Sequence, residues 1–411
     1  MANRTIIDNI KQFQQYIGRL NNVDTYILEI KYCEITFEVS LNDIVNLFNK
    51  KIIKFSVWNC VFKEHVKVQS CNFYSDEKTI FEKNMILSGV YSDEETVKVQ
   101  IGGVINNNLL INNAFFSSLL IFADVKENVR IWSCTILSFS FSKTDETKIL
   151  MLDNCSFKDC VDFSQKTYNK VDFFRVKFDN TVTFENTVFK DDAIFCELYL
   201  KHDLYFENAT FEKRLTLENM TFPNILSLNH ATIAWLKIEN IYFVKQPLNM
   251  ANLSVEKVAN RETARFLKHE AIQRHNNPLA IYFNTMEMTE YWRETKICQF
   301  PEFVLLSLNF LSNRFGKSWI QGIIFTIGVW ILFFGIFVMI RDSVGTTFIF
   351  CVPELRKEAI EYFWLPNGIE GLFSKEMNVS WWAIVSFFLG KILIGYGIFQ
   401  TIAAFRKYGK N

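Results

Sequence analysis

The sequence predicts a solenoid of short β-strands followed by a helical region that crosses a membrane twice. Three observations carry this: large apolar residues recur in steps of five and six through the middle of the chain, two late runs are apolar on every face, and no spacing of reactive side chains marks a catalytic centre.

The repeat is clearest in Phe173, Phe178, Phe184, Phe189, Phe195, Leu200, Phe206, Phe211, Leu217, Phe222, Leu228 and Ile233, whose alternating steps give a period of eleven. The triplets Phe184-Glu-Asn186, Phe206-Glu-Asn208 and Leu217-Glu-Asn219 share one phase, and Ile238-Glu-Asn240 follows after a one-residue slip. An eleven-residue period also suits a right-handed helical supercoil. Runs such as Thr181-Val-Thr183, and a bias to Thr, Val, Phe and Asn over Ala, Leu, Glu and Lys, favour strands instead. In a solenoid the large residues point inward from each flat side, Asn and Asp take the corners, and stacked coils set Phe on Phe at about 4.8 Å. The same alternation appears at Val57, Phe62, Val68 and Phe73, and the pairs Ile131/Ile136 and Leu152/Phe157 keep a five-residue step, but the register is degenerate over 79–142. Residues 1–51 show alternation at Ile35-Thr-Phe37-Glu-Val39 without a register and are read as a cap or small added module; the solenoid is assigned 52–255.

Helix formers replace the repeat over 256–297, with a break at Asn276-Asn277-Pro278 that predicts a hairpin of two helices. Lys257, Arg261, Arg265, Lys268 and His275 fall near helical spacing. Such a stripe is most often a solvated face; the functional reading is an anionic-ligand or membrane-surface contact. Residues 298–318 follow, with Pro301 suited to a first helical turn and Gly316 to a stop. Their apolar residues with Asn309, Asn313 and Arg314 fit a helix along the inner membrane interface, or an amphipathic helix packed on protein.

Within 319–411, the runs 319–340 and 381–405 have the length a bilayer crossing needs, about 20 residues, and Trp319 and Trp381-Trp382 suit interfacial belts. Arg314 and Lys317 precede the first run and Arg406, Lys407 and Lys410 follow the second, whereas 341–380 carries four basic and six acidic residues. The positive-inside rule then makes 341–380 an extracytoplasmic loop and both termini cytoplasmic, in keeping with an N-terminal stretch that builds no apolar leader. Lys391 lies about 15 Å inside the second run at 1.5 Å per residue, too deep to snorkel with ease, so a water-filled path or a carboxylate partner is expected for it. Ser386, Gly390, Gly397, Thr401 and Ala404, with Gln400 beside them, form a small or polar stripe suited to helix contact or pore lining. Gly395-Tyr396-Gly397 lacks a following complete helix, which argues against a potassium filter and for close helix packing.

Charge balances at 44 basic and 44 acidic residues, which disfavours both a general nucleic-acid binder and an acidic DNA mimic acting on a topoisomerase. Nine cysteines are scattered without a CxxC pair and read as reduced, packed thiols. Five histidines form neither HExxH nor a zinc set, and no GxSxG or phosphate-cradling loop appears, so no enzyme, metal or cofactor is expected.

The central Leu or Phe every five residues resembles pentapeptide-repeat proteins, which implies an all-β right-handed solenoid, a quadrilateral β-helix. The chain departs from that family's A(D/N)LXX consensus because six-residue sides alternate with five, so that a coil takes about 22 residues. The helical pair, the two runs and the ending IGYGIFQTIAAFRKYGKN are similar to bacterial proteins that join a pentapeptide-like domain to a two-span ion-channel-like domain. The layout from about Val57 onward looks like the membrane effectors of the Hailong anti-phage system, most specifically over 261–280 and 394–408. The resemblance implies a homo-oligomeric, tetrameric, ligand-gated channel in a bacterial inner membrane. It also implies a nucleotide or short single-stranded DNA signal made by a partner nucleotidyltransferase and sensed by the cytosolic solenoid. It transfers no ligand residue. A membrane-anchored solenoid scaffold that binds proteins and conducts nothing is the alternative.

Overall fold

The computed structural model describes residues 5–16, 20–22, 25–41, 43–44, 51–69, 71–89, 97–142, 147–245, 248–342, 353–366 and 381–408. The chain forms two compact units, Met1–Ala259 and Asn260–Asn411.

The first unit is a parallel β-solenoid of about nine turns. Each coil lies in register on the next: Ala193 beside Leu215 and Val188 beside Thr210, 22 residues on in both cases. All twelve residues of the five-and-six series are buried, none more than 7% exposed. They fall into four inward columns, and rings in a column stack at about one strand spacing: Phe163 on Phe184 at 4.8 Å and Phe184 on Phe206 at 5.1 Å in one, Phe189 on Phe211 at 4.5 Å in the next. A fully buried Phe is worth about 1.5–3 kcal/mol, so the columns are the main cohesive force between coils.

Left-handed residues turn the coils at their corners in two columns, the second beginning at Gln165. One column runs Asn113, Ser133, Asn154, Arg175, Glu197, Asn219, Asn240 and the other Gln165, Asn186, Asn208, His230, Asn252, all with φ between 47° and 56°. Asn in the repeated triplets is therefore the corner residue, whose short amide tolerates this backbone better than most side chains. Asn is not obligatory there, since Arg175, Glu197 and His230 adopt the same φ. The residue after the corner is buried at most of these positions, as at Ala114, Val176, Thr187, Ala209 and Ala231. Here the cysteines find their reason: Cys60, Cys134 and Cys155 are buried, and each Sγ donates to the carbonyl two residues back at 3.2–3.3 Å. Cys71 is also buried, and burial pushes its thiol up to about 12. The slip at Ile238 is absorbed by a bulge after Phe211, which brings Leu217 beside Ile238.

Outside the coils, in-register stacking sets opposite charges above one another. Asp179 lies between Lys158 at 2.7 Å and Lys201 at 2.9 Å, and hydrogen bonds from these two lysines hold its carboxyl down to about 2. Before Lys51 the chain joins the same ladders: Cys33–Ile35 lies between Thr5–Ile7 and Val61–Phe62, and Thr25–Lys31 pairs with Lys51–Trp58. This stretch adds a short helix α1 (Ile10–Tyr16), with Phe13 edge-on to Phe37 at 5.7 Å, and an antiparallel pairing of Leu20–Asn22 with Thr25–Lys31.

The second unit is helical: α2 (Arg261–Gln273), α3 (Asn277–Glu294), α4 (Phe300–Asn313), α5 (Trp319–Asp342), α6 (Pro353–Phe363) and α7 (Trp381–Tyr408). The Asn260 side chain caps α2 by accepting from the Thr263 amide at 2.9 Å, and Asn276 caps α3 by accepting from the Leu279 amide at 3.2 Å. Arg314, Phe315 and Gly316 are consecutively left-handed at φ 49°, 58° and 89° and turn the chain from α4 into α5. Helices α5 and α7 contain stretches long and apolar enough to span a membrane, Trp319–Ile340 and Trp381–Arg406. They run antiparallel, with Trp319 stacked on Phe405 at 4.7 Å at one end and Phe337 near Phe387 at 5.9 Å toward the other. The segment 341–380, read from sequence as a loop, holds α6; its residues 343–352 and 367–380 lie outside the described residues.

Candidate functional site

Helices α2 and α3 meet around one carboxylate. Glu287, its side chain 6% exposed, accepts from Arg265 Nε at 3.2 Å and from Lys268 Nζ, with Arg261 Nε at 3.9 Å. The Arg261 guanidinium also lies over the Tyr291 ring at 3.9 Å. Burial opposes a charge on Glu287, but hydrogen bonds from Lys268 and Arg265 outweigh it and hold the carboxyl below the usual glutamate range. Three of the five candidate ligand residues are thus drawn onto an internal partner. The other two are not in the cluster: Lys257 belongs to the last solenoid strand, Ser254–Val258, and His275 is an exposed residue after α2. The sequence signal missed was Glu287 itself, an acidic residue on the facing helix.

A polar junction ties α4 to α7. The Tyr396 hydroxyl and the Gln400 amide both donate to Asn309 Oδ1, at 2.8 and 2.9 Å. Asn313, 2% exposed, donates to Gln400 Oε1 at 2.7 Å and accepts from the Gly316 amide at 2.8 Å. Gly395-Tyr396-Gly397 is accordingly a contact motif: Tyr396 bonds α4, and a Cβ on Gly397 would collide with Thr326 of α5. Gly390 meets Tyr362 and Phe333 in the same way, and Thr401 packs on Gly322. The Ser386 hydroxyl donates within its own helix to the Ala383 carbonyl at 3.0 Å. At these positions the small-residue stripe makes helix contacts within the chain.

Lys391 is the eleventh of 28 residues in α7. Its Nζ donates to the Trp364 carbonyl at 2.5 Å and lies 5.2 Å from the Phe387 ring centre and 5.7 Å from that of Tyr362. The partner present is thus the carbonyl just past the end of α6.

On the solenoid, Lys54, Asn72, Tyr74, Lys98 and Gln100 line an open groove of about 300 Å³. Beside it the rings of Tyr74 and Trp58 stand 4.6 Å apart, with Lys31 Nζ 6.0 Å from the Trp58 ring centre. Outward positions on neighbouring strands make this surface. They carry no motif in a linear reading, only the alternation that marks them as facing away from the core. Among the described residues no cluster of His, Cys, Asp or Glu has the geometry to hold a metal ion.

No protein-family model, no curated protein and no solved structure matches the chain.

Proposed function

We propose that the chain is a homo-oligomeric, ligand-gated ion channel of a bacterial inner membrane, acting as an effector of anti-phage defence. The observation that carries the reading is the exposure of apolar side chains on α5 and α7, which pack directly on each other while Tyr362 of α6 touches both. Ile320, Ile324 and Leu332 on α5 and Trp381, Ile392 and Phe399 on α7 are all more than half exposed, a surface that suits lipid rather than water. Helix α4 exposes Phe300, Leu305 and Leu311 and suits the inner interface. Both termini are cytoplasmic in this arrangement, by the charges that flank the spans. Two spans per chain enclose no conduit, so the path forms between copies, a cyclic tetramer by resemblance.

The solenoid is the sensor, and its four inward columns support the finer reading of a four-sided coil, right-handed by resemblance. Its groove combines lysines with Tyr74, which is tilted against the Trp58 ring beside it, a pairing of cations and aromatics that suits a short single-stranded DNA signal from a partner nucleotidyltransferase, with phosphates on the cations and bases on the rings.

The scaffold reading has one observation in its favour: Lys391 and the small-residue stripe are both engaged inside the chain. Planar-bilayer recording of the purified full chain separates the two. The channel reading expects unitary currents that a short single-stranded oligodeoxynucleotide changes; normal insertion and assembly without current would leave the scaffold.

A further inference from the structure

Helix α6 does not pack at the ends of the spans. Trp330, the twelfth of 24 residues in α5, donates its indole N–H to the Ala359 carbonyl at 2.9 Å and meets the Phe363 ring at 5.3 Å. Tyr362, fully buried, sits among Phe334, Phe337 and Phe387 at 5.4–5.6 Å. Leu365 reaches Gly395, fifteenth in α7. The C-terminal end of α6 therefore lies near the middle of both apolar helices, which makes α6 re-entrant if those helices cross a bilayer. Non-spanning helix at that depth is tolerated only where protein or water satisfies its backbone.

A helix leaves its last carbonyls without intrahelical partners and carries partial negative charge at that end. An ammonium in an apolar span needs an acceptor. Each answers the other's need at the contact between Lys391 Nζ and the Trp364 carbonyl, with the Phe387 and Tyr362 rings adding cation–π attraction. We propose that Lys391 is the positioning residue of the re-entrant helix, pinning the C-terminal end of α6 at mid-span. The inference rests on the membrane-crossing part of the function proposed above and is independent of conduction.

The test places a thiol at buried Ala359 (Ala359→Cys) in the full-length chain in native membranes. Its alkylation by a membrane-impermeant maleimide is followed at that position by peptide mass spectrometry. Adding Lys391→Met should speed alkylation about tenfold or more through local opening of α6. Lys391→Arg, which keeps a charged donor, should restore the slow rate. Equal rates for the Met variant and the parent would overturn the proposal. If the Met variant fails to accumulate, Lys391→Leu, which also lacks a donor, replaces it and is judged the same way, faster supporting and equal overturning. A chain that conducts nothing yet shows the acceleration would sink the channel reading alone; currents without acceleration would sink this one alone.

Discussion

Phe206 in the solenoid and Glu287 in the helical unit are both central, and their neighbours differ in kind. Phe206 meets Phe184 at 5.1 Å, Phe195 at 5.3 Å and Phe211 at 5.6 Å, contacts that recur with the same residue type from coil to coil. Glu287 meets Arg265, Lys268 and Arg261, a set with no repeat among the described residues. The solenoid is thus held by many equivalent apolar contacts, whereas the helical unit adds a few individual polar ones to its apolar packing. A defect in the first costs volume; a defect in the second strands a charge.

The largest effect should come from the repeated contact. Phe206→Ala empties a site that is fully buried and walled by neighbours in its own and adjacent coils, so the coils cannot collapse into it easily. A loss of about 3–5 kcal/mol is expected, read as a fall in the thermal unfolding midpoint of the solenoid signal in far-UV circular dichroism. A loss below about 1 kcal/mol would mean that ring stacking is not what holds the coils.

The singular contact should cost less and carry a pH signature. Glu287→Gln keeps the shape and removes the charge that three cations share; about 2–3 kcal/mol of helical-unit stability should go with it. The sign with pH follows from the depressed carboxyl. Stability from Glu287 is complete above its unfolded value, near 4.5, and is lost as pH falls through the lower folded value. Glu287→Gln should therefore flatten the acid limb of helix unfolding, monitored at 222 nm in detergent. The solenoid's Asp179, held to about 2, gives up its contribution only between its ordinary 3.8 and that lower value. If wild type and variant show the same acid limb, the clasp is not the titrating element.

The same contrast explains what could be read from the residues alone. Where coils take 21 or 22 residues, from Leu150 beside Val171 to Ala193 beside Leu215, the period was legible because each inward Phe repeats at a fixed offset. Over 79–142 it was not, because successive offsets change: Val66 to Met85 is 19 residues, Met85 to Leu109 is 24 and Leu109 to Val129 is 20. The excess of the 24-residue coil falls in sequence between Ser88 and Val97, and a fixed-period reading loses phase. The apolar runs at Trp319 and Trp381 were legible from composition. Helix α6 was not, since a short amphipathic stretch with five charged residues reads as loop until Tyr362 is seen between the spans. The basic stripe was visible as spacing, but its meaning depended on Glu287, which lies on another helix.

The smallest effect tests the corners. Glu197 occupies a left-handed position at φ 55° in a column whose other members include Asn154, Asn219 and Asn240. Asn pays less than Glu for this backbone, and the column already shows what an amide does there, since Asn240 donates to Asn219 Oδ1 at 2.9 Å. Glu197→Asn should therefore stabilise the solenoid by about 0.5 kcal/mol, raising its unfolding midpoint by about 1–2 °C. The matching change in the helical unit should go the other way. Phe315 has φ 58°, but its side chain is 6% exposed and its ring lies 6.0 Å from that of Phe310, so Phe315→Asn trades a modest backbone gain for a larger loss of packing. Opposite signs at two positions of similar φ would show that a solenoid corner is governed by backbone preference and a helix junction by what the side chain touches. A destabilised Glu197→Asn would instead point to the Glu197 carboxylate as a contact of its own.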